Sequence, residues 1–484
     1  MKRYFYTLAF AASLAVTGAV LTSAPVLSQG RPGYTPIPPE FGYFQNNVEL
    51  NKAIETGDIA YSRRHAWSLF AGMMQPLDAG DPNSWPIWFS WQTSAQAFDA
   101  PQAKAAPPIR IRLTPSVAGH MRAKEAGADI PVVTPQPIYP VPTPVIEAYP
   151  DAISGSGADT TIKDGTFFVF NGDIMVATES LSQEGYGAIR DGELYLTATL
   201  KRAHELGQNI SLPDRYVSTK HMYWPVKAEG LTPLPWWNDN YPDSFNGYVG
   251  YETWDSVVAI DPSGKRIGES AQVTYLYGIE NHDGTPMQPR TETAQVVGLD
   301  SFYHHKVSDA DWAMFSQADK AMLNAASYWL YNKPFQPGDY LASVAMHVMT
   351  KEVPTWTLQS VWWSNTPDKG PYAADRPTDL KAVGPWTHYL LTEANSYKPD
   401  ASGQLAKAVN PYIEGVIHPI RTSCRNCHVR AGYPSGGKGK PAEGTTGYSN
   451  TNCPDLLAAL TPDDACFKGV TLSDFAWIIP DRAH

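Results

Sequence analysis

Apolar and polar positions follow several different rhythms along this chain. From about Tyr34 to Ala126, helical spacing is mixed with aromatic clusters such as Trp85-Pro86-Ile87-Trp88-Phe89-Ser90-Trp91, which predicts short helices and packing surfaces. Prolines then recur at close intervals from Pro131 to Pro150, favouring an extended arm. From about Thr160 to Asp300 the pattern changes to short alternating or β-branched runs that end in turns. Thr166 to Phe170 precedes Asn171-Gly172, and Ala271 to Tyr277 precedes Gly278. An Asn-Gly pair between apolar runs is a strong hairpin signal, so mainly antiparallel sheet is expected, with one helix near Leu194 to Glu205.

A second helix is predicted over Ser308 to Leu330, where Trp312, Phe315, Met322, Leu323, Ala326 and Trp329 recur at helical spacing. Ser308 with Asp311 resembles a capping box at its start, and Pro334 follows its end. Tyr340 to Met349 and Thr355 to Ser364 read as strands joined through Pro354. The fold class that follows is α+β, a β-rich central body with flanking helices and a C-terminal segment of different character. The expected boundaries are a leader at 1–28, a mixed helical region with the Pro-rich arm at 29–150, the β-rich body at 151–400 and the C-terminal segment at 401–484.

The leader reads as a secretory signal peptide: Met1-Lys2-Arg3, an apolar stretch from about Leu8 to Leu21, then small residues. No other stretch approaches membrane-spanning length. The expectation is an exported protein, periplasmic or extracellular, with no membrane span after cleavage. A formal net charge of −11 argues against a nucleic-acid partner.

All four cysteines lie in the last 61 residues, and two of them stand in Cys424-Arg425-Asn426-Cys427-His428. Cysteines at this spacing can each form a thioether with one haem vinyl group, with the following histidine beneath the iron. Cys424 and Cys427 are therefore candidate sites of covalent haem attachment and His428 the candidate proximal iron ligand, for one covalently bound haem c. Cys453 and Cys466 are left over; they enclose twelve residues, and a disulfide between them would contribute about 3 kcal/mol. A zinc site of four thiolates is the competing reading, and it leaves His428 without a role.

At this motif the chain resembles the cytochrome c family, over about Asn410 to Gly432. A typical small member has a distal methionine some tens of residues downstream. Here no methionine occurs from Val429 to His484, and the only histidine there is His484. More loosely, His221-Met222-Tyr223-Trp224-Pro225-Val226-Lys227, His347-Val348-Met349-Thr350-Lys351-Glu352 and Trp362-Trp363 look like stretches of large uncharacterised exported proteins with a single C-terminal haem motif. That resemblance implies no activity.

A missing downstream ligand makes the upstream body the expected source of the sixth ligand or of the lid over the haem. His347 is the first candidate, because period two places it beside the small residues Ser343 and Ala345. Met346 and Met349 are alternative sulfur donors, His221 with Met222 another pair, and His304 with His305 could contribute one member to a site. The Trp236-Trp237 and Trp362-Trp363 pairs suit either a pocket wall or core packing, and Asn209-Ile210-Ser211 matches a glycosylation acceptor.

Two functions fit. One is electron transfer by a six-coordinate haem, exchanging electrons with a redox partner protein or a small-molecule donor or acceptor. The other is a haem-dependent oxidoreductase or peroxidase-like enzyme with an open distal site. The size of the body motivates the second; the lack of a convincing acid-base pair favours the first.

Overall fold

The computed structural model describes residues 33–44, 47–81, 84–98, 114–115, 137–138, 141–156, 160–162, 176–238, 254, 256–275, 280–281, 288–408, 410–413, 423–434 and 458–484. The leader, the Asn171-Gly172 turn and Cys453 lie outside the described residues, as does most of the Pro-rich arm. Gly33–His484 forms one compact unit. Its architecture is α+β, as the sequence pattern predicts. Among the described residues no helix is long and apolar enough to cross a membrane.

Five antiparallel neighbours form the centre of the larger sheet: β1 (Val176–Leu181), β2 (Val217–Val226), β3 (Tyr340–Thr350), β4 (Thr357–Trp363) and β5 (Tyr389–Glu393), in that order. Gln92–Thr93 and Thr114–Pro115 extend it beside β1, and His304–Lys306 lies along β3. A four-stranded sheet runs Ser270–Tyr275, Arg290–Gly298, Val257–Asp261, Thr232–Pro235, with its middle pair parallel. Ser270–Tyr275 alternates exposed and buried positions, as a strand with one wet face should. β4 is buried at every position, so both faces of the larger sheet are covered there.

Register determines which side chains share a face, because successive residues on a strand point to opposite sides. Glu179, Lys220, His347, Ser360 and Thr392 form one row across β1 to β5. Thr178, His221, Met346, Val361 and Leu391 form the next, on the other face. Helix α1 (Ile59–Met73) covers this second face. Its Arg63 Nη1 donates to the Leu391 carbonyl at 3.0 Å, Ser62 Oγ accepts from Asn395 at 2.8 Å, and His65 Nε2 lies 2.9 Å from Glu352 Oε1.

The C-terminal segment covers the first face. Arg482 donates to Glu179 at 2.7 Å and Asn410 to Ser360 Oγ at 2.8 Å, while Val429, Phe475 and Ile479 share an apolar cluster with Leu181, Met349, Trp356 and Leu358.

Several elements differ from expectation for local reasons. The helix predicted over Ser308 to Leu330 is two helices, α2 (Asp309–Met314) and α3 (Gln317–Tyr331). Phe315 is extended between them, and Ser316 with Asp319 forms a second complete capping box that restarts the helix. The described end of the Pro-rich stretch is a short helix, Thr143–Ala148, whose proline sits in the first turn where it is tolerated. Both tryptophan pairs are buried core residues. Asn209 is engaged structurally: its Oδ1 accepts from Leu472 N at 2.9 Å, and Ile210 N donates to the Leu472 carbonyl at 2.8 Å.

Candidate functional site

Helix α4 (Cys424–His428) carries the whole motif on a single turn. At about 100° per residue, positions i, i+3 and i+4 fall on one side, so Cys424, Cys427 and His428 share a face. Those three are half-buried, whereas Arg425, Asn426, Val429 and Arg430 are buried. The helix thus anchors itself through the residues between and after the cysteines and turns its chemically active side toward the more accessible direction. This is the reverse of what packing alone would select, since cysteine is ordinarily among the most buried residues.

The anchoring face is held by specific bonds. Arg425 Nη1 donates to the Thr355 carbonyl at 2.5 Å, and its guanidinium lies over the rings of Tyr397 and Phe475 at 5.5 and 5.2 Å. Burial lowers this guanidinium to about 10. Asn426 Nδ2 donates to the Ala458 carbonyl at 2.5 Å, and Arg430 Nε donates to Asn426 O and Oδ1, each at 3.0 Å. Cys424 is tied by its N–H and its thiol to the Ala408 carbonyl, both at 3.0 Å. Just beyond the helix, Gly432 pairs with Leu472; a Cβ there would stand 2.6 Å from Val470 Cγ1 and 2.9 Å from the Thr471 carbonyl, so only glycine permits the approach.

His428 Nδ1 lies 2.8 Å from the Phe475 carbonyl oxygen. A carbonyl only accepts, so Nδ1 carries a proton, and in the neutral ring the lone pair is on Nε2. An imidazole whose Nδ1–H is fixed by a backbone carbonyl is oriented for a metal at Nε2. Cys424 and Cys427 are thiols that have not bridged with each other. One turn of helix thus offers two thiols and an oriented imidazole, the donor set that covalent attachment of haem through two vinyl groups requires, and the residues fit the group.

Where the structure places the other candidates follows from register. His347 and Met349 lie on the face covered by the C-terminal segment, and Met349 packs in the same cluster as Val429. Met346 lies on the opposite face, toward α1, which removes it as a donor to the motif. A bulge between Ser343 and Ala345 also breaks the alternation: Ser343 pairs with Tyr223 and goes with the α1 side, so His347 keeps Ala345 but not Ser343 as a same-face neighbour. Met222 shares the His347 face but is wholly buried in the main core.

His221 is fully buried on the α1 side, stacked on Trp88 with centroids 3.5 Å apart, and burial pushes its ring well below the ordinary histidine range. His305 Nε2 is 3.0 Å from Asp311 Oδ2, and His304 Nδ1 is 2.9 Å from the Phe302 carbonyl. Among the described residues no three of His, Cys, Asp and Glu come together as a metal-binding group; Cys453 is not among them.

Two sets of residues carry no signal in the sequence. Phe475, whose carbonyl meets His428 Nδ1, and its neighbour Asp474 look like an ordinary turn. The buried pair His65 and Glu352 joins residues 287 positions apart. Burial raises the Glu352 carboxyl, but the His65 ring and hydrogen bonds from Thr350 and the Phe44 N–H outweigh it and hold it below the usual range.

No protein-family model, curated protein or solved structure matches the chain.

Proposed function

We propose that the protein is an exported monohaem c-type cytochrome that transfers electrons through a haem bound covalently at Cys424 and Cys427. The observation that carries this reading is the split of helix α4: its buried side anchors to the body, and its half-buried side presents both thiols and an imidazole with Nδ1 already engaged. Bound there, the haem supplies a one-electron couple whose potential depends on its axial ligands and their hydrogen bonds.

The chain's own residues have distinct tasks. Cys424 and Cys427 fix the group in place by thioether bonds. His428 would ligate iron through Nε2 while Phe475 fixes its ring plane. Arg425 and Asn426 hold the helix against Thr355 and Ala458, and the apolar cluster around Val429 and Phe475 keeps water from the docked side. His347 is the proposed distal ligand, on the strand face that the C-terminal segment covers. A redox partner protein or a small-molecule donor or acceptor completes the reaction.

The test is the optical spectrum of the purified protein with and without carbon monoxide. A low-spin ferric haem and a ferrous form inert to carbon monoxide are expected for the carrier. A high-spin ferric form with rapid carbon monoxide binding contradicts it and points to the open-site oxidoreductase.

A further inference from the structure

Asp474 and Phe475 are consecutive non-glycine residues in the left-handed region, with φ of 53° and 66°. Such a conformation is costly for side chains with a Cβ and persists only where the surroundings impose it. Here the surroundings belong to the body. Asp474 Oδ2 accepts from Lys351 Nζ at 2.5 Å and from Leu212 N at 2.7 Å, and Oδ1 accepts from Trp356 Nε1 at 2.8 Å. Lys351 Nζ also donates to the Leu212 carbonyl at 2.6 Å, and the ion pair is mostly buried, with side-chain exposures of 13% and 16%. Next along the kink, the Phe475 ring stacks on Trp356 at 5.9 Å and lies beneath Arg425, while its carbonyl receives the His428 Nδ1 proton.

We infer that Asp474 is a positioning residue for His428, and that the Lys351–Asp474 ion pair is the means by which the body sets the donor strength of the proximal ligand. This rests on the haem reading above. The connection is continuous: Lys351 and Trp356 hold the Asp474 carboxylate, the carboxylate holds the kink, and the kink aims the Phe475 carbonyl at Nδ1. A hydrogen bond accepted from Nδ1–H makes the imidazole more electron-donating, which favours ferric iron. Release of the clamp lets the carbonyl swing away, weakens that donation and raises the reduction potential. Docking of the C-terminal segment on the body is thereby translated into the electronic state of the site.

The inference is tested with the full-length protein by Asp474→Asn, Lys351→Met and the double variant, measuring covalent haem content, reduction potential and melting temperature. Glu179→Gln serves as a control, since it removes the charge of the ion pair with Arg482, another tie between segment and body that does not touch Phe475. Each single variant is expected to retain covalent haem and raise the potential. The double variant should move it little further than the larger single shift, because both act on one connection. Glu179→Gln should lower the melting temperature and leave the potential in place. Unchanged potentials in both single variants, with haem retained, overturn the inference and leave the haem reading intact; equal shifts in the control overturn it also. A wild-type chain without covalent haem overturns both. Should Asp474→Asn fail to fold, Lys351→Met alone carries the same comparison.

Discussion

His347 stands directly opposite Ser360 across β3 and β4, and Ser360 Oγ accepts a hydrogen bond from Asn410 at 2.8 Å. Asn410 lies two residues from Ala408, whose carbonyl accepts the Cys424 N–H and thiol. A short run of chain therefore links the start of the motif helix to the cross-strand neighbour of His347. Replacing His347 with Ala is predicted to convert a low-spin spectrum to a high-spin one that binds carbon monoxide. An unchanged low-spin spectrum in that variant removes His347 as the distal ligand.

Gly432→Ala is predicted to destabilise the C-terminal segment by about 1–3 kcal/mol, since the new methyl group must displace Val470 or the Thr471 backbone. Hydrogen exchange should show the loss concentrated in 423–434 and 458–484, with β2 to β4 protected as before. Wild-type protection throughout the segment would contradict the packing described.

The α+β class, strands β3 and β4 and the motif itself were legible because each rests on local information: strand runs bounded by breakers, or covalent spacing within five residues. The break at Phe315 was less so. Apolar spacing continued across it, and only the second Ser-x-x-Asp, Ser316 with Asp319, marked a new start. The bulge that moves Ser343 to the other face has no local signature and appears only in the pairing with Tyr223. The partners of His428 and His65 were hidden for a similar reason. Phe475 and Glu352 reach them through tertiary packing across 47 and 287 positions, and nothing periodic connects such pairs.

The Glu179–Arg482 contact predicts a pH dependence. Burial raises the Glu179 carboxyl, but the charges of Arg482 and Lys220 outweigh it and hold it below its ordinary value. A depressed folded value means that the contribution is fully present above the unfolded carboxylate value, about 4.3, and is lost as pH falls through the folded value. The C-terminal segment should therefore loosen in acid below about pH 4. Melting temperature measured against pH should fall more steeply on acidification for the wild type than for Glu179→Gln; parallel curves would show that this contact contributes nothing.

Cys466 lies in the segment between 458 and 484, and its expected partner Cys453 lies outside the described residues. The disulfide predicted between them leaves Cys424 and Cys427 to the haem. Peptide mapping without reduction should recover residues 453 and 466 in one linked fragment. Recovery as separate thiol-bearing peptides would refute the pairing.

Counting covalent haem decides whether Cys424 and Cys427 carry the group. Protein exported from a host competent in c-type haem attachment is denatured, extracted with acidified acetone and assayed as the pyridine haemochrome. One haem per chain is expected to stay with the polypeptide, and none in the Cys424→Ser, Cys427→Ser double variant. Haem that extracts from the wild type, or a wild-type chain that carries none, would contradict it.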